Sequence, residues 1–214
     1  AVINAAQEVT LTFKAVDAKG DPITAGIASV TAKIKNGNAI TSGSTVGNYS
    51  TIEFAAAVNE NYYVSKWIGA EADKNDSTKA SIASLEKTTE VIAHIAEKPK
   101  VTVAAPVNGT IEVAGARGIQ NVVLTGAEGE NGHVNMNSTA VITATPSNGY
   151  FVKSIIVTTD GAAQTFDYDS AKKYQPGKVT KDDIQITKDT LVQVIFAEKP
   201  TVTFGGDTHI HVTA

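Results

Sequence analysis

The chain of 214 residues is 42% apolar and 19% charged with a net charge of −4, so it can bury a core and is not a globally disordered polymer. It has no cysteine, which removes disulfides, thiolate metal sites and cysteine nucleophiles together. Its 18 Lys and Arg, scattered among 22 acids, form no basic cluster to hold a nucleic acid, and no apolar run approaches a membrane span.

In chain order, the opening "AVINAAQEV" has neither an initiator Met nor a signal peptide, so the chain reads as a mature or excised piece. "VTLTFKAV" (9–16) is the first Val- and Thr-rich strand, and "DAKGD" (17–21) reads as a turn rather than a site. "GIASV" (26–30) and "STIEFAAAVNENYYVSKWI" (50–68) follow. "SIASLEKTTEVIAHIAEK" (81–98) has an apolar spacing that also fits a helix. Beyond it come "VTVAA" (101–105), "TIEVAG" (110–115), "NVVLTG" (121–126), "TAVITATP" (139–146), "YFVKSIIVT" (150–158), "IQIT" (184–187) and "LVQVIFAE" (191–198). Asn-Gly pairs at 36–37, 108–109, 131–132 and 148–149 predict hairpin turns, because both residues tolerate positive φ.

"AEKP" stands at 96–99 and again at 197–200, each time closing one apolar run and opening another. Aligned outward from these junctions, residues 50–68 match "STAVITATPSNGYFVKSII" (138–156) without a gap, at an offset of 88. Residues 85–99 match "ITKDTLVQVIFAEKP" (186–200) at an offset of 101. Upstream, "VTLTF" (9–13) is matched to "VTVAA", and "GIASV" to "GIQNV" (118–122). The junction is thus the seam of a tandem array: one module over 1–99, a second over 100–200 with an insertion near 161–180, and the start of a truncated third over 201–214. The match also decides the helix-like segment, since its partner "DIQITKDTLVQVIFAEK" alternates strictly and reads as strand–turn–strand. The predicted fold is all-β: tandem β-sandwich-like, immunoglobulin-like modules, with small β-grasp-like repeats as the alternative. Pro99 and Pro200 fix their own φ and push Lys98 and Lys199 toward extended backbone, so the seams predict restricted swing between modules and an elongated pair.

With "ITATPSNGYFVKSI" and "ITKDTLVQVIFAEK" in the second copy, and "FAAAVNENYYVSKW" and "LEKTTEVIAHIAEK" in the first, the units resemble the divergent internalin B-repeat-type modules of bacterial surface proteins. The resemblance covers most of both units. Asn61 stands where the family pattern has Gly, and Ile155 where it has Trp. "VDAKGDPI" (16–23) also resembles the first hairpin of bacterial immunoglobulin-like domains. The resemblance implies an extracellular or cell-surface protein in which the modules serve as stalk or adhesive repeats.

Few residues suggest chemistry. His209 and His211, two apart on a presumed strand, share one face and are candidate metal ligands. Asp160, Asp167 and Asp169 are a candidate Ca²⁺ set, although the EF-hand spacing is missing. Tyr49, Tyr62, Tyr63 and Trp67 form a sugar-stacking platform if exposed and coplanar, but the copy places Ile155 at the Trp67 slot and Phe151 at the Tyr63 slot, which favours core. No serine elbow and no phosphate-binding glycine loop is present, and what the copies share is core and turn residues. The expectation is a non-catalytic structural or spacer module of a bacterial cell-surface or secreted protein, as an adhesin stalk or surface-layer element, with no cofactor. The alternative is a carbohydrate-binding or accessory module of a large extracellular hydrolase. Expected partners are neighbouring modules of the same chain and a host or cell-surface protein or glycan, with no nucleic acid and no membrane span.

Overall fold

Val, Ile and Thr at alternating positions give extended segments whose apolar side chains fall on one face, and in the computed structural model every regular element among the described residues is a strand. The structure describes residues 7–24, 26–117, 131–168 and 177–201. The chain divides into two units, Ala1–Lys98 and Pro99–Ala214. The first holds β1 (Glu8–Val16), β2 (Ala28–Ile34), β3 (Ala39–Ile40), β4 (Ser44–Gly47), β5 (Ser50–Val58), β6 (Tyr62–Ile68), β7 (Glu71–Ala72), β8 (Lys79–Leu85) and β9 (Thr89–Glu97). The second holds β10 (Lys100–Val103), β11 (Gly109–Arg117), β12 (Asn131–His133), β13 (Ser138–Pro146), β14 (Tyr150–Thr159), β15 (Ala162–Asp167), β16 (Val179–Ile186) and β17 (Thr190–Glu198). The segment that also fitted a helix is β8, a turn and β9.

Each unit is two sheets that face each other across a shared core. The first unit's sheets run β4-β1-β9-β6 and β3-β2-β5-β8-β7; the second's run β12-β10-β17-β14-β15 and β11-β13-β16. With β10 set on β1, β11 on β2, β12 on β4, β13 on β5, β14 on β6, β16 on β8 and β17 on β9, the strand order is the same. The first and last strands are parallel neighbours in both units. One bulge also agrees: the ladder slips between Val64 and Lys66 in β6 and between Val152 and Ser154 in β14. At the end of each unit, the N–H of Lys98 donates to the Asn61 carbonyl and that of Lys199 to the Gly149 carbonyl, both at 2.8 Å.

The core follows from the alternation. In β13, Ser138, Ala140, Ile142 and Ala144 point inward; in β5, Ile52, Phe54 and Ala56 do. Leu11, Ile52 and Val91 in the first unit, and Val103, Ile142 and Ile155 in the second, are fully buried. Each such side chain contributes roughly 1.5–3 kcal/mol of burial. The slots trade volume between copies. Trp67 faces Ala93 across β6 and β9, whereas Ile155 faces Val194 across β14 and β17.

Among the described connections, the units differ between their first two strands, 17–27 against 104–108, and after β6 and β14. Gly69, at φ 81, has the Glu90 carbonyl where a Cβ would stand; this bend carries the chain out of β6 and across to β7 in the other sheet. In the second unit β14 runs on to Thr159, and Asp160 and Gly161, at φ 52 and 78, make a tight hairpin into β15 in the same sheet. The first described part of the predicted insertion, 161–168, is therefore an exposed hairpin edge, while Val179 at its other end is buried in β16.

Three sequence readings are corrected. Leu11 stands opposite Thr89 and Val101 opposite Thr190, so Leu11 corresponds to Val101; the sequence match had slipped by two residues. A slip of two keeps every side chain on its face, so the apolar pattern cannot detect it. Ala28 pairs with Val58 and Gly109 with Pro146, so β2 corresponds to β11 and not to "GIQNV". "GIQNV" and "NVVLTG" lie outside the described residues. Finally, Asn131-Gly132 is part of β12, paired with Val101 and Thr102, and not a turn.

Candidate functional site

Of the acids proposed for calcium, Asp160 and Asp167 do not converge. Asp160 sits in the turn before β15 and Asp167 ends that strand, opposite Ser154. Six residues of strand hold them about 20 Å apart. Asp160 instead forms an exposed ion pair with Lys188. Among the described residues no three His or acidic side chains come together as a metal site. Asp169, His209 and His211 lie outside the described residues. His94 is 8% exposed on β9, with Nδ1 3.2 Å from the Asp17 carbonyl oxygen, so this histidine is fixed inside the first unit.

The aromatic row does not assemble. Trp67 packs on Phe54 with ring centroids 6.2 Å apart, and its Nε1–H donates to the Ser77 carbonyl at 2.9 Å. Both contacts are structural, and they explain why Ile155 can occupy the same slot. Tyr62 and Tyr63 are half-buried on β6. Tyr49 is the outlier: 68% exposed, at φ 66, in the turn between β4 and β5. Its counterpart is Asn137, at φ 61. Their N–H groups make the same bond, Tyr49 to the Leu85 carbonyl at 2.7 Å and Asn137 to the Ile186 carbonyl at 3.0 Å. A left-handed conformation costs an ordinary side chain about 1 kcal/mol, while Asn tolerates it. Tyr49→Asn should therefore raise the stability of the first unit by about 1 kcal/mol, read as a higher urea midpoint by tryptophan fluorescence. An unchanged or lower midpoint means that the Tyr49 ring makes contacts worth the strain.

The loops are held by carboxylates accepting main-chain N–H bonds. Asp17 Oδ1 accepts from Lys19 N at 2.8 Å and Asp21 N at 2.9 Å, which makes "DAKGD" a self-closed turn. The Asp21 N–H, the largest cause, holds the Asp17 carboxyl below its ordinary value. Asp73 Oδ1 accepts from Asn75 N at 2.8 Å and Asp76 N at 3.1 Å. Asp76 in turn takes the Thr78 hydroxyl at 2.5 Å and the Lys79 ammonium at 2.9 Å. The Thr78 hydroxyl is the main reason that the Asp76 pKa falls from 3.8 to about 2. This loop carries Ser77, which holds the Trp67 indole. With the folded pKa below the unfolded one, the Asp76 contribution is present above pH 3.8 and is lost as pH falls through about 2. Asp76→Asn should lower the urea midpoint of the first unit at pH 6, with the difference from the parent shrinking toward pH 2. A difference that stays constant with pH would show that the carboxylate charge is not what holds the loop.

An open groove of about 560 Å³ lies on the outer face of β2, β5 and β8. Its floor includes Thr31, Ala55 and Ser81, with Lys33 and Glu53 paired at 3.1 Å and Lys79 and Asp73 at the rim. Small side chains and paired charges leave an open trough lined mostly by apolar atoms. The shifts seen in Asp17, Asp76 and Lys79 all favour the charged form, the reverse of the tuning that proton transfer near neutral pH needs.

No family model matches the chain, and no curated protein matches it. Among solved structures, the chain is similar to a C-terminal fragment of the pilus adhesin SpaC from Lactobacillus rhamnosus GG, at 12% identity and a TM-score of 0.27, over 90% of this chain and 99% of that one. A TM-score of 0.27 is too low for the likeness to carry topology or function across.

Proposed function

We propose that the chain is a non-catalytic spacer from a bacterial cell-surface or secreted protein, made of tandem copies of one β-sandwich module, with a further copy beginning after Pro200. Its work is geometric: it holds other parts of a longer protein at a distance from the surface. One observation carries the reading. The two units agree in strand order, parallel terminal pair, the bulge shared by β6 and β14, and closing hydrogen bond, whereas the candidate calcium and stacking residues Asp160, Asp167 and Trp67 do not recur in the other unit. Asp160 stands in a hairpin that the first unit lacks, and Trp67 and Ile155 share a slot by packing alone. The resemblance of the sequence to stalk and adhesive repeats supports the surface setting.

The test separates spacing from recognition. A distal reporter displayed on cells through this chain should lose accessibility to a bulky probe when the first unit is deleted. An unrelated β-sandwich of equal size in its place should restore it. If only the native unit restores accessibility, the module binds something, and the carbohydrate-binding reading takes over.

A further inference from the structure

In both units the strand that enters and the strand that leaves are hydrogen-bonded, parallel neighbours. Leu11 to Val16 of β1 run beside Thr89 to His94 of β9, and Val101 to Val103 of β10 beside Thr190 to Val192 of β17. The chain enters at the start of one strand and leaves at the end of the other. In a parallel pair those points lie at opposite ends of the shared ladder. Tension applied through the main chain slides the two strands along each other and loads all rungs at once. It does not open them one by one.

The rungs can be assigned. Leu11 O accepts from Gly43 N at 2.8 Å, and Phe13 N donates to Ser42 Oγ at 2.8 Å, so these positions face away from β9. Alternation then aims Thr12, Lys14 and Val16 at β9. The counterpart of Lys14 in the second unit makes such a rung, Ala104 N to Val192 O at 2.9 Å. A side chain fastens the entry of each strand: Thr10 N donates to Thr88 Oγ1 at 3.3 Å, and Lys100 N to Asp189 Oδ1 at 2.9 Å. The ladders differ in length. Six residues of β1 are in register with β9, against three of β10 with β17. Past Ala104 the second chain meets Pro106, which has no N–H to offer.

We infer that the terminal strand pairs are shear clamps of unequal length, so that under tension the second unit yields first and the first unit holds. This rests on the spacer reading, because load must reach the units through their chain ends.

The test is to pull the full chain by its ends in a single-molecule force instrument. A Gly-Ser insertion after Lys19, in the exposed turn, lengthens and so marks the event of the first unit. Two events are expected, with the marked one second and at higher force. Lys14→Pro removes one rung and should bring the marked event down to or below the other. Lys14→Ala removes only the exposed pair with Glu90 and should leave it in place. Should Lys14→Pro not fold, the parent chain held by handles at Ala18 and Lys98 supplies the second measurement. Those points lie at one end of the first ladder, so the pull peels it, and the force should drop several-fold. A marked event that comes first, or forces indifferent to pulling direction, overturns the clamp. That result leaves the display experiment untouched, and a failed display experiment leaves the force order untouched.

Discussion

Trp67→Ala should lower the stability of the first unit by about 3 kcal/mol or more, and Ile155→Trp should destabilise the second by about 1–3 kcal/mol. Removing the indole opens a cavity beside Phe54 and leaves the Ser77 carbonyl without its donor. Inserting an indole at position 155 puts a large ring into a site that is fully buried and has Val194 opposite. The first unit accommodates its Trp because Ala93 stands there instead. The double variant Ile155→Trp/Val194→Ala should thus recover part of the loss. Hydrogen exchange read by mass spectrometry separates the units, with β8 reporting the first and β16 the second. A Trp67→Ala chain whose β8 exchanges as slowly as the parent's would show that Trp67 is surface, and the stacking-platform reading would regain its ground. An Ile155→Trp loss not relieved by Val194→Ala would mean that the two slots are not equivalent in packing.

What the sequence made legible, and what it did not, follows from the periods involved. Strand identity was readable because Val, Ile and Thr alternate over β13, β16 and β17, and because the second copy resolved the ambiguous segment in the first. The interior role of Trp67 was readable because Ile155 fills the same slot. Register was not: alignment of β1 with β10 rests on a period of two, and a slip of two residues leaves the pattern intact. β2 was matched to the wrong segment because Gly-Ile occurs twice, at 26–27 and 118–119, and a dipeptide outweighed the pairing partners that only the fold reveals. The sheet change after β6 turns on Gly69, whose need for glycine comes from the Glu90 carbonyl on a distant strand. Asp160 and Asp167 are held apart for a related reason. Sequence spacing placed Asp160 and Asp167 in one loop, whereas the intervening residues pair with β14 and stretch them apart. Asp76 was overlooked, although Asp-Lys-Asn-Asp-Ser-Thr is a run of loop-closing residues whose side chains reach main-chain N–H groups nearby.

Gly109→Ala should destabilise the second unit by about 1–3 kcal/mol, although alanine is ordinarily the better strand residue. The reason is local. A Cβ at position 109 would clash with the para end of the Phe196 ring, which packs against the core of that unit. The first unit shows the other solution. There Ala28 holds the position of Gly109, and Ile95, fully buried, holds that of Phe196. A glycine with an aromatic ring and an alanine with a branched aliphatic are two fillings of one space, the second costing less backbone entropy. Phe196→Ile alone should cost about 1 kcal/mol or more through the gap it opens. Combined with Gly109→Ala it rebuilds the pair that the first unit already uses, so the double variant should be more stable than the two single losses added together. The coupling expected from such a contact is about 1–3 kcal/mol. Trp67 is the chain's single tryptophan, so its fluorescence follows the first unit and must stay unchanged through the series, while circular dichroism follows both. Strict additivity would show that Gly109 and Phe196 do not share a site, and would remove the packing equivalence on which the two-copy reading of the chain depends.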